Sequence, residues 1–163
     1  MRFAIVALLM GCAASFPKAI EAPAGGHVVM RALGRGKQIY VCQRAEEEPF
    51  RWSLREPVAM LFDGSGRIMG QHYVGPTWEA IDGSRVVGAK REAADSPDGS
   101  IPWLLLSAQS TAGDGVFAGV SWIQRVDTQG GQAPESACDA QHLGAVRVVP
   151  YSATYVFYAT AAR

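Results

Sequence analysis

Hydrophobic and polar residues alternate with a period of two along much of this chain. The segments 37–42, 116–126 and 151–159 send successive side chains to opposite faces, as in β-strands. The continuous apolar runs 58–62 and 103–108 have strand length, and they predict strands covered on both faces. No window of a dozen residues repeats apolar positions with a helical period. The pattern therefore predicts mainly strands.

Turn sequences separate these apolar runs. They lie at 63–67, 82–84, 95–100, 112–115 and 128–134. Asp-Gly between two apolar runs favours a tight hairpin, because glycine adopts the positive φ that such turns require. We therefore expect residues 27–163 to form a single all-β domain. It would be an antiparallel β-sandwich or partly closed barrel with at most short helical turns.

The first residues have the pattern of an export signal. Arg2 precedes an apolar run at 3–10, and small residues follow. The run is too short to span a bilayer, and no later stretch has the length for a transmembrane segment. We assign residues 1–24 to a signal peptide and a flexible lead-in. The expected location is outside the cytoplasm: periplasmic, extracellular or lipid-anchored to the envelope.

The processing site has several interpretations. Residues 9–12 resemble a lipobox, which would make Cys12 a lipidation site and give the protein a lipid anchor. Ordinary cleavage near Ala14 or Ala24 would instead discard Cys12. A start codon assigned too late within a longer signal is the third interpretation.

Cys42 and Cys138 are the thiols that remain after such processing. In an oxidising compartment two cysteines far apart in sequence favour one disulfide over free buried thiols. A zinc site is disfavoured, because neither cysteine has a second Cys or His at the spacing of such sites, apart from His142 alone, four residues after Cys138. Closing a loop of about 100 residues would stabilise the fold by roughly 4 to 5 kcal/mol in the chain-entropy model.

The charge balance argues against two classes of partner. The 15 Lys and Arg residues equal the 15 Asp and Glu residues, and no long block of like charge occurs. The chain therefore lacks the electrostatic footprint of a nucleic-acid-binding protein or of one that binds an anionic membrane surface.

Residues 70–84 combine a histidine, aromatic side chains and two carboxylates in one short segment. His72 with Glu79 or Asp82 has the chemistry for general acid-base catalysis or metal binding if the side chains share a pocket. Their spacing does not enforce that, because Gly75-Pro76 interrupts the segment. In the structural alternative, His72 is buried against backbone and Asp82 caps the amides of its turn. We assign no metal ligand.

Aromatic residues raise the possibility of a glycan site, since indole faces stack on sugar rings. Trp103 and Trp122 lie in apolar strands and are expected in the core, with their N–H groups bonded to backbone. Trp78 lies in an expected loop, and we predict that it is at least partly exposed and, with Tyr73, contacts a ligand.

No signature of a common enzyme class is present. The chain has no G-x-S-x-G, no H-E-x-x-H and no phosphate-binding G-x-x-x-x-G-K sequence. Residues 34–39 lack the third glycine and the preceding strand of a dinucleotide fingerprint. We assign no cofactor.

Several segments, spread in order from residue 36 to residue 158, resemble a known family. They include GKQIYVC, WSLREPVAMLFDGSGRIMGQHYVGPTWEAIDGSRVVG, IPWLLLSA, FAGVSWIQRVDTQGGQAP and VPYSATYVFY. These resemble the exported "domain of unknown function 3455" family of bacteria and fungi. The resemblance implies a signal peptide and a paired Cys42 and Cys138, but it supplies no reaction, cofactor or partner.

Together these observations favour a non-catalytic exported domain. We expect it to bind a small molecule, a glycan or an envelope protein through residues 70–84. The alternatives are an extracytoplasmic hydrolase that uses His72 with Glu79 or Asp82, and a structural envelope lipoprotein.

Overall fold

The computed structural model describes residues 16–44 and 48–160. The predicted export signal and Cys12 lie outside the described residues. Within them, eight antiparallel strands follow one another around a barrel, and the last strand pairs with the first. The strands are β1 (Gly26–Gln43), β2 (Arg51–Phe62), β3 (Ile68–Tyr73), β4 (Thr77–Ala80), β5 (Arg85–Ala94), β6 (Trp103–Ala112), β7 (Trp122–Gly130) and β8 (Val146–Thr160).

The all-β prediction is confirmed, and of the two architectures the barrel is the one that forms. The helical content of the described chain is two short 3-10 turns, Lys18–Ile20 and Ala140–His142. The described residues contain no helix with the length and hydrophobicity needed to cross a membrane.

The barrel interior is built from the inward face of each strand. Along β1 the even-numbered residues are the buried ones, which is the period-two pattern of a strand with one face in the core. β8 contributes large inward side chains, including the fully buried Tyr155 and Phe157. Gly34 on β1 makes room for Tyr155, because a Cβ there would lie 2.5 Å from the Tyr155 ring.

One end of the barrel is plugged by the loop between β6 and β7. Phe117 in this loop is fully buried and packs on Phe157, with ring centroids 4.8 Å apart. Sequence alternation predicted a strand through 116–126, but β7 begins only at Trp122. The prediction is wrong for 116–121, because Phe117 and Val120 enter the core from a loop that crosses the barrel end.

A second apolar cluster lies outside the barrel. Ile20 is fully buried against Leu105, Val126 and Val156 on the outward faces of β6, β7 and β8. Trp103 and Trp122 are partly buried against this outer cluster, and the predicted backbone bond of the Trp103 N–H is wrong, because Nε1 has no partner in the described chain. The buried Gln124 side chain donates a hydrogen bond to the Ile20 carbonyl at 2.6 Å. The folded structure therefore begins before residue 27, the expected start of the domain, and includes part of the expected lead-in.

The predicted disulfide is present between Cys42 and Cys138, with Cα atoms 5.4 Å apart. It joins the end of β1 to the long loop between β7 and β8. The same loop is held to β1 by the Tyr40 hydroxyl, which donates to the Gly131 carbonyl at 2.6 Å. Two distant parts of the chain thus meet at the barrel end opposite Phe117.

Candidate functional site

The segment 70–84 forms a short β-hairpin rather than an exposed loop. β3 and β4 pair through Gly70 with Ala80 and His72 with Trp78. The turn at 74–76 reverses the chain, and Gly75 has a φ of 117° there, which favours glycine over other residues. Gly75-Pro76 is therefore a turn, as the sequence indicated. β3 ends directly before the turn and β4 begins directly after it.

Trp78 is buried, with 1% of its surface exposed, so the prediction of partial exposure is wrong. Pairing with β3 turns its indole into the barrel, where it meets the rings of Tyr155 and Phe157 edge-on. Gly88 on β5 leaves room for the indole, since a Cβ there would lie 2.9 Å from a ring carbon. Trp78 is thus a core residue of the barrel.

His72 lies beside Trp78 in the interior and is 3% exposed. Its ring stacks on the indole with centroids 4.5 Å apart and 14° between the planes. Nδ1 lies 2.8 Å from the Thr77 carbonyl oxygen, so Nδ1 carries the hydrogen and donates it. Burial lowers the His72 pKa from 6.5 to about 4, and the neutral ring keeps Nε2 as an acceptor.

The other titratable residues of the segment face elsewhere. Glu79 follows Trp78 and lies on the opposite, outward face of β4, where it accepts a hydrogen bond from the Tyr73 hydroxyl. Asp82 lies in the β4–β5 turn and accepts from the amides of Ser84 and Val116, both at 2.8 Å. The hydrogen bonds from Ser84 and Val116 lower the Asp82 pKa.

His72, Glu79 and Asp82 are therefore not brought into one pocket. In the described part of the chain, no three His, Cys, Asp or Glu side chains converge in a metal-binding arrangement. Asp82 takes the capping role of the structural alternative. His72 likewise adopts the geometry of a buried histidine bonded to backbone.

The β3–β4 hairpin is shorter than its neighbours, and this opens the barrel wall. β3 pairs with β2 only from Ala59 to Phe62. On the other side, pairing with β5 ends where the Gly88 amide donates to the Pro76 carbonyl. Among residues 16–44 and 48–160, the upper parts of β2 and β5 therefore have no partner across this gap. We call the gap above the 74–76 turn the notch.

A cavity of about 330 Å³ lies behind the notch, inside the barrel. The turn 74–76 forms its lower rim, and residues 54–57 of β2 form one side. Its apolar lining includes Leu54, Pro57, Val74, Trp78, Leu104 and Leu106. Two residues of the predicted segment, His72 and Trp78, thus belong to the wall of the cavity, although neither is on the protein surface.

Arg125 is one of the charged residues in the cavity lining, together with Arg55, Glu56 and Lys90. It lies on the inward face of β7, opposite Tyr155 of β8. Its Nε and Nη2 atoms donate to the Pro102 carbonyl at 3.1 and 2.8 Å. Burial lowers its pKa from the ordinary value, although the group stays a cation at neutral pH. None of the ion pairs between described residues includes Arg125.

Gln38 is a further polar residue that lines the cavity from an inward-facing position. It is 1% exposed, and its Oε1 atom has no hydrogen-bond partner within the described chain. A buried amide oxygen without a partner is unfavourable unless a bound molecule supplies a donor. Lys90 on β5 adds a further positive charge near the notch.

The sequence interpretation did not identify Arg125, Gln38 or Lys90. A usable signal existed, because Arg125 is in strand phase with the apolar Ile123 and Gln38 is in phase with Tyr40. A polar residue in phase with a core-facing stripe either has a buried partner or serves a site. The sequence does not show which face of each strand is inward.

Comparison with known proteins gives one match. No curated protein and no solved structure matches the chain significantly. The family model described as "Protein of unknown function (DUF3455)" matches residues 23–159, which is most of the barrel. The chain therefore belongs to the DUF3455 family.

Proposed function

We propose that this protein is a non-catalytic binding protein that holds a small, mainly apolar molecule in the cavity behind the notch. The observation that carries the proposal is the cavity itself. The cavity extends from the notch to the buried side chains of Trp78 and Tyr155, which line it without filling it. Its volume of about 330 Å³ falls at the lower end of the range of about 300–1,000 Å³ for small-ligand sites.

The walls favour binding by burial of apolar surface. Leu104 and Leu106 project into the cavity from the same face of β6, and Trp78 adds the largest fully buried side chain. Removing apolar surface from water is the main source of affinity in such sites. Because these residues lie on paired strands, the site is largely formed before a ligand arrives.

A glycan or an envelope protein is less favoured as the partner. Stacking on a sugar ring requires an accessible indole face, whereas Trp78 is 1% exposed and the His72 ring is stacked on it. A hydrolase using His72 is also less favoured, since neither carboxylate candidate lies with it. The role of residues 70–84 in this proposal is to form the lower rim and part of the wall of the cavity.

Titration calorimetry with 1-octanol tests the proposal. Wild-type protein should bind this neutral apolar probe, because it fits a small apolar cavity. The Leu104→Trp variant should lose binding, because the larger side chain fills the cavity. Val148→Trp on the outward face of β8, where Val148 is 51% exposed, is the matched control and should bind normally.

Melting curves must show that both tryptophan variants are folded. Absence of binding to wild-type protein would contradict the proposal, as would undiminished binding to a folded Leu104→Trp variant.

We also propose that the protein acts after export. The disulfide supports this, because structural disulfides persist in oxidising compartments. Intact mass of protein from its native host should show removal of the N-terminal signal, with added acyl mass if Cys12 carries a lipid anchor. Ile20 should be retained, since it is fully buried against the barrel. Full-length, unmodified protein would contradict export.

A further inference from the structure

The cavity contains polar groups that a purely apolar ligand would leave unused. Arg125 lines the cavity, and its guanidinium donates two hydrogen bonds to one backbone carbonyl and forms no ion pair with a carboxylate of the described chain. A guanidinium has five N–H donors in a planar fork, and two of them account for these bonds. The remaining donors match the geometry of a carboxylate.

The groups that interact most strongly with Arg125 are phenols, and the carboxylate in the cavity lining, Glu56, is paired with Arg55 instead. Tyr40, Tyr151 and Tyr155 are the side chains whose charge interactions with Arg125 are largest. Tyr151 and Tyr155 share a hydrogen bond of 3.1 Å between their hydroxyls, and burial raises the pKa of both. These phenols are neutral at physiological pH, so the positive charge of Arg125 has no counter-ion among the described residues.

Gln38 provides an independent observation. Its side chain is almost completely buried, lines the same cavity and leaves Oε1 without a donor. An acceptor in that place pairs with an O–H or N–H group of the ligand. A carboxylate alone has no such hydrogen, whereas a hydroxyl on the same molecule does.

We propose that the ligand is an apolar carboxylic acid that carries a hydroxyl group. Its carboxylate accepts hydrogen bonds from Arg125, its hydroxyl donates to Gln38 Oε1, and its hydrocarbon part packs on Leu104, Leu106 and Trp78. Lys90, an exposed cation near the notch, attracts the anion during entry. This inference rests on the proposed function, since it names the class of molecule that the same cavity binds.

The carboxylate is tested by comparing octanoate with 1-octanol. Wild-type protein should bind octanoate at least tenfold more tightly, because desolvated charge pairing adds to the same apolar burial. Arg125→Met should bind the two probes about equally, while Arg125→Lys should keep part of the preference. Arg91→Met is the matched control, because Arg91 is exposed and outside the cavity lining.

The hydroxyl is tested with 2-hydroxyoctanoate. Wild-type protein should bind it more tightly than octanoate, and Gln38→Leu should remove that difference while keeping the preference for octanoate over 1-octanol. This variant removes the acceptor and leaves Arg125 unchanged.

The outcomes separate the two proposals. Wild-type protein that binds neither 1-octanol nor octanoate contradicts the binding function itself. Equal binding of octanoate and 1-octanol, or an unchanged preference in folded Arg125→Met, overturns the carboxylate assignment alone. A hydroxyl preference that is missing in wild type or survives in Gln38→Leu overturns the assignment of the hydroxyl.

Discussion

The two ends of the barrel are both lined by aromatic side chains, but their polar groups differ in whether they have partners within the protein. At the plugged end, the Phe117 amide donates to the Ser84 hydroxyl, and Asp82 accepts from the Val116 amide. At the notch end, Gln38 Oε1 has no partner in the described chain and Arg125 has no counter-ion there. The plugged end satisfies its own polar groups, whereas the notch end leaves groups available to a ligand.

Under the proposed function, this difference separates burial that stabilises the fold from burial that serves binding. Folded proteins form hydrogen bonds with nearly all of their buried polar groups, so a buried group without a partner indicates a candidate binding site. Hydrophobicity alone does not distinguish the two ends, since Phe117 and Trp78 are both buried core residues. The two ends differ in whether their buried polar groups have hydrogen-bond partners. Four variants test the contribution of each end.

The largest expected effect is at the plugged end. Phe117→Ala should lower the free energy of unfolding by about 3–5 kcal/mol, because it removes a fully buried ring and leaves a cavity. Urea unfolding measures the loss, and Val116→Ala at a 39% exposed neighbour should change it little. If Phe117→Ala lowered the free energy of unfolding by no more than the small change in Val116→Ala, the Phe117 ring would contribute no core packing.

The disulfide links β1 covalently to the β7–β8 loop at the notch end. Cys138→Ala should lower the free energy of unfolding by about 2–5 kcal/mol, because the bond closes a long loop between positions 96 residues apart. Thermal melts without reductant compare the variant with wild type. Added reductant should lower the melting temperature of wild type only, and equal melting of the two proteins without reductant would contradict the prediction.

His72, at the notch end, should make the stability of the protein decrease in acid. Between pH 6.5 and about 4 the unfolded chain protonates this histidine, while the buried ring in the folded state stays neutral. The free energy of unfolding should therefore fall as pH falls through this window, by up to about 3 kcal/mol.

Urea unfolding at several pH values measures that slope. His72→Gln should flatten it, whereas His27→Gln at an exposed position should leave it unchanged. A wild-type slope that persists in His72→Gln would assign the acid sensitivity to other groups.

Asp82 should give the smallest effect, because its carboxylate is exposed. Asp82→Asn should lower the melting temperature at neutral pH by weakening the acceptors for Ser84 and Val116. The Asp82 pKa is depressed in the folded state, so its contribution is present above pH 3.8 and disappears as pH falls through the folded value. The gap between variant and wild type should therefore close in strong acid, and Asp114→Asn in the adjacent loop should show no gap.

The sequence predicted the parts of the fold that depend on local pattern. Period two identified β1 and β8, and the Asp-Gly at Asp82 marked a true turn, because strand alternation and turn chemistry are properties of adjacent residues. The same pattern extended β7 too far, because Phe117 is buried by a loop and not by a strand. The prediction that both faces of 58–62 are covered is also wrong, since Val58 and Met60 are 49% and 42% exposed.

The candidate site was predicted only in part. His72 and Trp78 were selected, but the reason for selecting Trp78, its exposure, was wrong because pairing with β3 turns the indole inward. Arg125 and Gln38 come from strands distant in sequence, and their meeting depends on barrel closure and on the inward face of each strand. Neither property is encoded in a local pattern.

The short β3–β4 hairpin sets the height of the barrel wall below the notch. Its turn is the free end of two strands whose register is set lower in the wall, by pairing between Gly70 and Ala80. Insertions of residue pairs at 74–76 would extend both strands upward without shifting that register. Under the proposed function, the length of this hairpin would set the size of molecule that passes the notch, while Arg125 and Gln38 on other strands would keep their places in the cavity wall.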